Sequence, residues 1–380
     1  MRPLEGVTVV TIEQAVAAPL CSARLRDAGA RVIKIERAEG DFGRNYDTAA
    51  KGDSSYFVWL NQDKESFVLD FKSAEGEVTL RTLLSEADVF IQNLAPGAIK
   101  RAGFGYEALR LLYPSLITCD ISGYGDSEAL KDMRAYDLLV QAESGLASIT
   151  GGVNEMGRIG VSICDIGAGM TAHAAILEAL YRRKDTGEGA SLKVSLFDVA
   201  AEWMAVPLIH SDYGNGAPKR EGLRHPSIAP YGAYATGDGV ETLISIQNER
   251  EWSRFCDQVL QKPEIAIDEE FTSNKDRVIH RKRLDAIILK SLSSIKAEEF
   301  RSRLYQHKIA FGAVNSVADV SAHQAMRKRE VYNSKGAPLM VPDHPVVWAD
   351  EDWRSVSGAP EIGEHNTQIE DFVESLKCSK

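Results

Sequence analysis

The feature that most restricts the fold is a strand, helix, strand succession at the start of the chain. Residues 7–12 (V-T-V-V-T-I) carry the β-branched, uninterrupted apolar pattern of a buried strand. Residues 18–27 have helical spacing and stop at Gly29, and residues 31–36 (R-V-I-K-I-E) predict a second strand. Such a unit closes as a right-handed crossover between parallel strands, whose ligands lie in the crevice beyond the strands' carboxyl ends. The loop at that end, E-Q-A-V-A-A-P at 13–19, is built from small residues and lacks the G-x-G-x-x-G of a dinucleotide site. It has room for a nucleotide-like ligand but does not signal NAD.

The alternation continues through an apolar segment at 56–61, a strand at 66–71, a helix at 75–87, a strand at 88–92 and the loop N-L-A-P-G-A at 93–98. A strand at 116–121, a helix at 136–146, a strand at 190–196 and a helix at 199–209 follow. The expected fold is α/β: a doubly wound, Rossmann-like large domain over 1–210. Residues 211–230, rich in Gly, Pro, Arg and His, are expected to form a linker or active-site loop. Strands near 231–235 and 241–247 and helices near 251–260, 277–292 and 297–307 suggest a smaller α+β domain over 231–318. The proline-punctuated stretch 319–380, with a short helix at 367–376, is expected to return and pack on the large domain.

A formal net charge of -11 over 380 residues argues against nucleic acid as a partner, because phosphate backbones demand clustered Lys and Arg. Five cysteines, Cys21, Cys119, Cys164, Cys256 and Cys378, show no C-x-x-C spacing, which fits a reducing cytoplasm. There is no signal-peptide pattern and no run of about 18 apolar residues, so neither secretion nor a membrane span is expected. The eight histidines show no metal-ligand spacing, and no metal is expected.

One carboxylate stands out. In G-R-I-G-V-S-I-C-D-I-G-A-G-M, residues 157–170, Asp165 lies between an apolar run, 159–164, that reads as a buried strand or strand end, and a helical pattern over 167–183. That places Asp165 at the start of a helix, where it would cap free N–H groups and remain ionised. Two readings stay open, a structural cap and a carboxylate kept for chemistry. Gly167 and Gly169 each cost a helix about 1 kcal/mol relative to Ala, a cost accepted where something must approach the backbone closely. Arg37 follows the second strand, where it either meets a phosphate or is a surface charge.

Taken together, P-L-E-G-V near the start, D-A-G-A-R-V-I-K-I-E-R at 27–37, N-L-A-P-G-A at 93–98, Y-D at 136–137, C-D-I-G-A-G-M at 164–170 and G-E-H-N at 363–366 resemble the class III CoA-transferase family. This is the formyl-CoA and carnitine CoA-transferase group, which also holds α-methylacyl-CoA racemases. The resemblance covers essentially the whole chain. It implies that Asp165 is the catalytic aspartate, which attacks an acyl-CoA thioester and then carries CoA as an aspartyl thioester, with nearby backbone N–H groups holding the oxyanion. It implies coenzyme A as a substrate, with no permanently bound cofactor, and contacts to it from Ala15, Val16, Ala17, Arg37, Leu69, Asn93, Leu94, Ala98, Arg101 and Arg134. Val16 stands where some relatives have glutamine.

The racemases carry histidine where this chain has Tyr136. Tyrosine, with an ordinary pKa near 10, is a poor proton acceptor beside histidine near 6.5. Transferase is therefore the preferred reading, with a 2-methylacyl-CoA racemase and a non-catalytic CoA-binding protein as alternatives. Asp137 is expected to bind substrate or to cap the helix that it opens. In R-H-P-S-I-A-P-Y-G at 224–232, Arg224 and His225 are expected to select a second carboxylate on the acceptor, a short dicarboxylic acid such as mesaconate, itaconate, citramalate or succinate. The resemblance also implies an interlocked homodimer, with crossover segments near 211–230 and 320–360.

Overall fold

Six strands, all parallel, run through the larger part of the chain. The computed structural model describes residues 2–130, 133–214, 216–349 and 358–378. In chain order the elements are β1 (Thr8–Ile12), α1 (Ala17–Asp27), β2 (Arg31–Glu36), α2 (Ser55–Leu60), β3 (Glu65–Val68), α3 (Ala74–Ser85), β4 (Val89–Gln92), α4 (Ala98–Arg101), α5 (Tyr106–Leu112), β5 (Ile117–Ser122) and α6 (Asp137–Glu143). A helical turn α7 (Leu146–Ile149) and a ribbon of β6 (Gly151–Gly152) and β7 (Glu155–Met156) precede α8 (Ile163–Thr186), β8 (Ser191–Ser195), α9 (Leu196–Trp203) and α10 (Ala205–Tyr213). The sheet order is β3-β2-β1-β4-β5-β8. Every neighbouring pair is parallel. The order reverses between β1 and β4, which makes this the switch point of a doubly wound sheet.

Strand residues Val9, Val10, Val32, Ile33, Phe90, Ile91, Ile117 and Cys119 are all buried, as a sheet covered on both faces requires. The chain divides into two units, one of residues 1–146, 159–206 and 327–380, the other of 147–158 and 207–326. The divisions thus fall at other positions than 210, 230 and 318. Residues 147–158 and the 211–230 segment both join the second unit. That unit holds an antiparallel sheet ordered β11-β10-β9, from β9 (Tyr231–Ala235), β10 (Glu241–Ser245) and β11 (Ala310–Ala313). Its own core is built on Trp252, Phe255, Phe271, Leu284, Ile288 and Phe300.

Several elements differ from the sequence reading. The 56–61 segment is helix α2, and the helix expected at 199–209 breaks at Met204 into α9 and α10. Residues 159–162 are not a strand. Their backbone is paired by a side chain instead, since the Ile159 N–H donates to Gln141 Oε1 at 2.8 Å and Gln141 Nε2 donates to the Ile159 and Val161 carbonyls, each at 3.4 Å. A hairpin of β12 (Lys328–Tyr332) and β13 (Pro338–Pro342) had no marked sequence signal. Residue 215 of the first crossover segment and residues 350–357 of the second lie outside the described residues.

The end of the chain is pinned to β3. The Gly363 N–H donates to Ser66 Oγ at 2.9 Å, the His365 N–H to the Ser66 carbonyl at 3.1 Å, and Asn366 Oδ1 accepts the Val68 N–H at 2.9 Å. The G-E-H-N motif is therefore a docking device. It starts a last helix, Asn366–Cys378, that sends Ile369 and Val373 into the core beneath the sheet.

The glycine pair of α8 is explained by packing. A Cβ on Gly167 would lie 2.3 Å from the Trp203 ring, and one on Gly169 would lie 2.5 Å from the Ala17 carbonyl oxygen. What approaches the backbone is therefore α9 on one side and the first turn of α1 on the other. Gly169→Ala should lower stability by about 1–3 kcal/mol in denaturant unfolding, although the exchange raises intrinsic helix propensity. A variant as stable as the parent would show that α1 and α8 are not in this close contact.

Candidate active site

The loops expected to meet CoA come together at one edge. Because β3, β2, β1 and β4 are successive neighbours, their carboxyl ends set Leu69, Arg37, Ala15 to Ala17, and Asn93 with Leu94 side by side. Asn93 ties the loops across the switch point. Its Oδ1 accepts the Gln14 N–H at 2.8 Å, and its Nδ2 donates to the Gln14 carbonyl at 2.9 Å. Val16 occupies the N-cap of α1 without a side-chain acceptor, and the first turn holds no acid, so nothing in the helix itself neutralises its positive end. The Leu94 N–H bonds to Gln92 Oε1 at 2.8 Å. Ala98 opens α4, and Arg101 closes it with Nη1 3.3 Å from the Pro96 carbonyl. Arg37, Arg101 and Arg134 are exposed.

Beneath the β1 loop lies a buried charge network absent from the sequence expectations. Lys64 Nζ meets Glu13 Oε1 at 2.7 Å and the Pro19 carbonyl at 3.0 Å. Lys34 Nζ meets Asp41 Oδ2 at 2.9 Å, and Ser22 Oγ donates to Glu13 Oε2 at 2.7 Å. Burial pushes Lys64 down to about 8, with Glu13 resisting. Lys34 stays above its ordinary value because Asp41, Glu13 and Glu36 together outweigh its burial. Against the same burial penalty, the lysines hold the Glu13 carboxyl below its ordinary range, and Lys34 with the Gly43 N–H does so for Asp41. Lys34 inside the otherwise apolar V-I-K-I of 32–35 was the available signal. Ala15, on top of this network, has φ 63°, a left-handed conformation that costs a non-glycine residue about 1–2 kcal/mol.

Asp165 does not cap its helix. α8 begins two residues earlier, at Ile163, and Ser162 in the N-cap position makes no side-chain bond. The cap comes from Asp137 on α6, whose Oδ1 accepts the N–H groups of Cys164 at 2.8 Å and Asp165 at 3.3 Å, while its Oδ2 accepts from Gln141 Nε2 at 2.7 Å. Asp137 is thus engaged with α8 rather than only with the helix it opens.

The expected ionisation is also reversed. Burial first, and the negative charge of Asp137 second, push Asp165 up to about 7. Desolvation outweighs the helix dipole here. The first-turn N–H groups are not free to hold an oxyanion either. Those of Cys164 and Asp165 go to Asp137, that of Ile163 goes to the Val161 carbonyl at 2.8 Å, and that of Ile166 to the Ser162 carbonyl at 2.9 Å.

Around Asp165 the structure adds tyrosines that no motif marked. Tyr46 is raised to about 12, by burial first and then by the charges of Asp41 and Asp165, with Tyr136 and Tyr56 contributing, so it remains a hydroxyl donor. Its ring stands edge-on to Tyr56, centroids 5.4 Å apart, and Tyr56 and Ile166 both pack against the cluster of Val16, Leu20 and Leu60. Tyr136 sits exposed at the N-cap of α6. Arg224 and His225 belong to the second unit. There Arg224 pairs with Asp285 at 3.3 Å, and His225 stacks on Tyr231 with ring centroids 5.2 Å apart.

Comparison with known proteins shows the family. Residues 4–366 match the family model described as CoA-transferase family III, and the chain belongs to that family. It is 30% identical to a succinate–glutarate CoA-transferase of Agrobacterium fabrum, over 99% of this chain and 96% of that protein. It is 32% identical to an acetyl-CoA:oxalate CoA-transferase of Acetobacter aceti, over 97% and 95%. A crystal structure of a CAIB/BAIF family protein from Brucella suis superposes with a TM-score of 0.83 at 32% identity, covering 98% of this chain and 99% of that one. The protein is accordingly a CoA-transferase.

The environment of Asp165 has a stability signature. With its pKa near 7 in the fold and near 4 when unfolded, the native chain binds the extra proton between those values, so stability falls as pH rises through that window. Asp165→Asn should therefore melt higher than the parent at pH 8, by the equivalent of roughly 2–4 kcal/mol, and no higher at pH 4. Equal melting points at pH 8 would show a solvated, unperturbed carboxylate.

Proposed function

We propose that the enzyme moves CoA between short dicarboxylic acids through covalent intermediates on Asp165. The observation that supports this is a carboxylate at the start of α8 relieved of capping by Asp137, half-withdrawn from water and near enough to Tyr46 for its charge to raise that hydroxyl's pKa. As the carboxylate, Asp165 attacks the thioester carbonyl of the donor. The C–S bond breaks, CoA thiolate departs, and a mixed anhydride remains on the side chain. The thiolate then attacks the Asp165 carbonyl, expelling the donor acid and leaving an aspartyl-CoA thioester. The acceptor carboxylate attacks this thioester to form a second anhydride, and the thiolate closes the cycle on the acceptor's acyl carbon. Covalent catalysis divides one hard transfer into steps whose leaving groups are a thiolate and carboxylates. A pKa near 7 keeps the nucleophile available at neutral pH while leaving it more basic than an ordinary aspartate.

Two of the relatives are named for dicarboxylates, one for succinate and glutarate and one for oxalate, which supports a dicarboxylic acceptor here. Succinyl-CoA is our donor of choice, and mesaconate, itaconate and citramalate join glutarate as candidate acceptors. Arg224, with its side chain 37% exposed and shared with Asp285, would take the second carboxylate, helped by His225. CoA would lie along Ala15 to Ala17, Arg37, Leu69, Asn93, Leu94, Ala98, Arg101 and Arg134, whose loops share the carboxyl edge. We also infer a homodimer, because α10 (A-V-P-L-I-H-S-D-Y) buries none of its residues within the chain, and a reducing, cytoplasmic setting for its unbridged cysteines.

Incubation with succinyl-CoA followed by borohydride should reduce the acylated side chain and mark the peptide carrying Asp165 by mass spectrometry. Asp165→Ala should lose at least about 10³-fold in rate. New CoA esters formed with residue 165 unmarked would sink the covalent scheme. Arg224→Ala should cost about tenfold or more with dicarboxylates relative to monocarboxylates; an unchanged ratio would remove Arg224 from acceptor recognition.

A further inference from the structure

We propose that Asp41, held by Lys34, is a positioning residue of the transferase: it locks the loop after β1 in the conformation that receives CoA. Three consecutive residues of that loop are clamped by side chains from elsewhere. The Glu13 carbonyl accepts from Lys34 Nζ at 3.4 Å, both backbone groups of Gln14 are taken by Asn93, and the Ala15 N–H donates to Asp41 Oδ1 at 3.1 Å. The same Asp41 oxygen accepts the Gly43 N–H at 2.8 Å, and its other oxygen accepts from Lys34 Nζ at 2.9 Å. Asp41 is itself buried, with its own N–H on Glu36 Oε1 at 3.0 Å.

A left-handed alanine persists only where its surroundings over-determine it. Ala15, at φ 63°, lies immediately before the N-cap of α1 and against Gly43, where an added Cβ would come within 3.5 Å of the Ala15 Cα. Without an acceptor for its N–H, Ala15 can relax to negative φ, which would turn Val16 and the first turn of α1 away from the carboxyl edge. Asp41 acts through Ala15, with no contact to substrate required. The inference rests on the reading that residues 15–17 face CoA.

Removing Asp41 alone strands a buried lysine, so the test uses paired variants. In Lys34→Met/Asp41→Asn the charges leave together and an amide oxygen remains for the Ala15 and Gly43 N–H groups. In Lys34→Met/Asp41→Leu that acceptor is gone. Both are checked for folding by circular dichroism, then compared by calorimetric titration with free CoA and by hydrogen exchange.

The Leu pair should bind CoA about tenfold more weakly than the Asn pair, the worth of about one charge-independent hydrogen bond with its loop. Its rate at saturating succinyl-CoA, with glutarate as acceptor, should differ by less than about threefold. The Ala15 and Gly43 amides should exchange faster, and adding Ala15→Gly to the Leu pair should recover part of the CoA affinity, because glycine bears the left-handed φ at no cost. Equal exchange in the two pairs overturns the inference, whatever the affinities. Faster exchange with equal CoA affinity overturns it through the reading beneath it, showing that the loop is held by Asp41 but does not serve CoA. Loss of affinity without rescue by Ala15→Gly assigns Asp41 a general structural role and likewise overturns it.

Discussion

The site depends on one hydrogen-bonded junction, the carboxylate of Asp137 against the first-turn N–H groups of α8. A helix that begins inside a protein must find acceptors for its open donors, and it often finds them in its own first residues. Here the acceptor arrives from another helix, α6, and Gln141 on that same helix holds the preceding segment through Ile159 and Val161. The arrangement leaves Asp165 without a structural bond to make. Its neighbour's negative charge and its burial then keep it more basic than a surface aspartate, which suits a nucleophile better than a cap.

The parallel sheet decides which loops share one edge. Strand order places β1 between β2 and β4, so loops distant in sequence become neighbours at the carboxyl edge. Gly169 then lets α8 approach the Ala17 carbonyl more closely than any other residue would allow. The contact joins the helix that carries Asp165 in its first turn to the helix that Val16 caps. Packing of two backbones, rather than a ligand, accounts for the glycines.

The buried charges beneath the loop follow a different logic. An isolated buried ion costs several kcal/mol, and pairing repays this only with good geometry and further hydrogen bonds. Lys34 has three carboxylates in its field and remains comfortably charged, whereas Lys64 shares one with it and falls to about 8. Such a network is poor value as a source of stability. Its benefit lies in fixing backbone groups in directions that apolar packing cannot specify.

Much of the α/β frame was readable in the residues, because strand and helix periods are local: β2 and most of α1 follow from R-V-I-K-I-E and the spacing before it. Asp165 was also marked, by its place between an apolar run and two glycines. Of its two open readings only the cap failed, since a cap looks the same in sequence whether the oxygen comes from residue 165 or from Asp137, 28 positions earlier. Tyr46, Tyr56 and Asp41 carried no signal at all, for their positions relative to Asp165 and Ala15 are set by long-range contacts. The sequence by itself determined the repeating strands, the family motifs and the candidate nucleophile, all encoded in short spans. Only the tertiary structure decided which oxygen caps α8, which way the pKa of Asp165 moves and what holds Ala15 left-handed, because each turns on burial and on partners that folding brings from elsewhere in the chain.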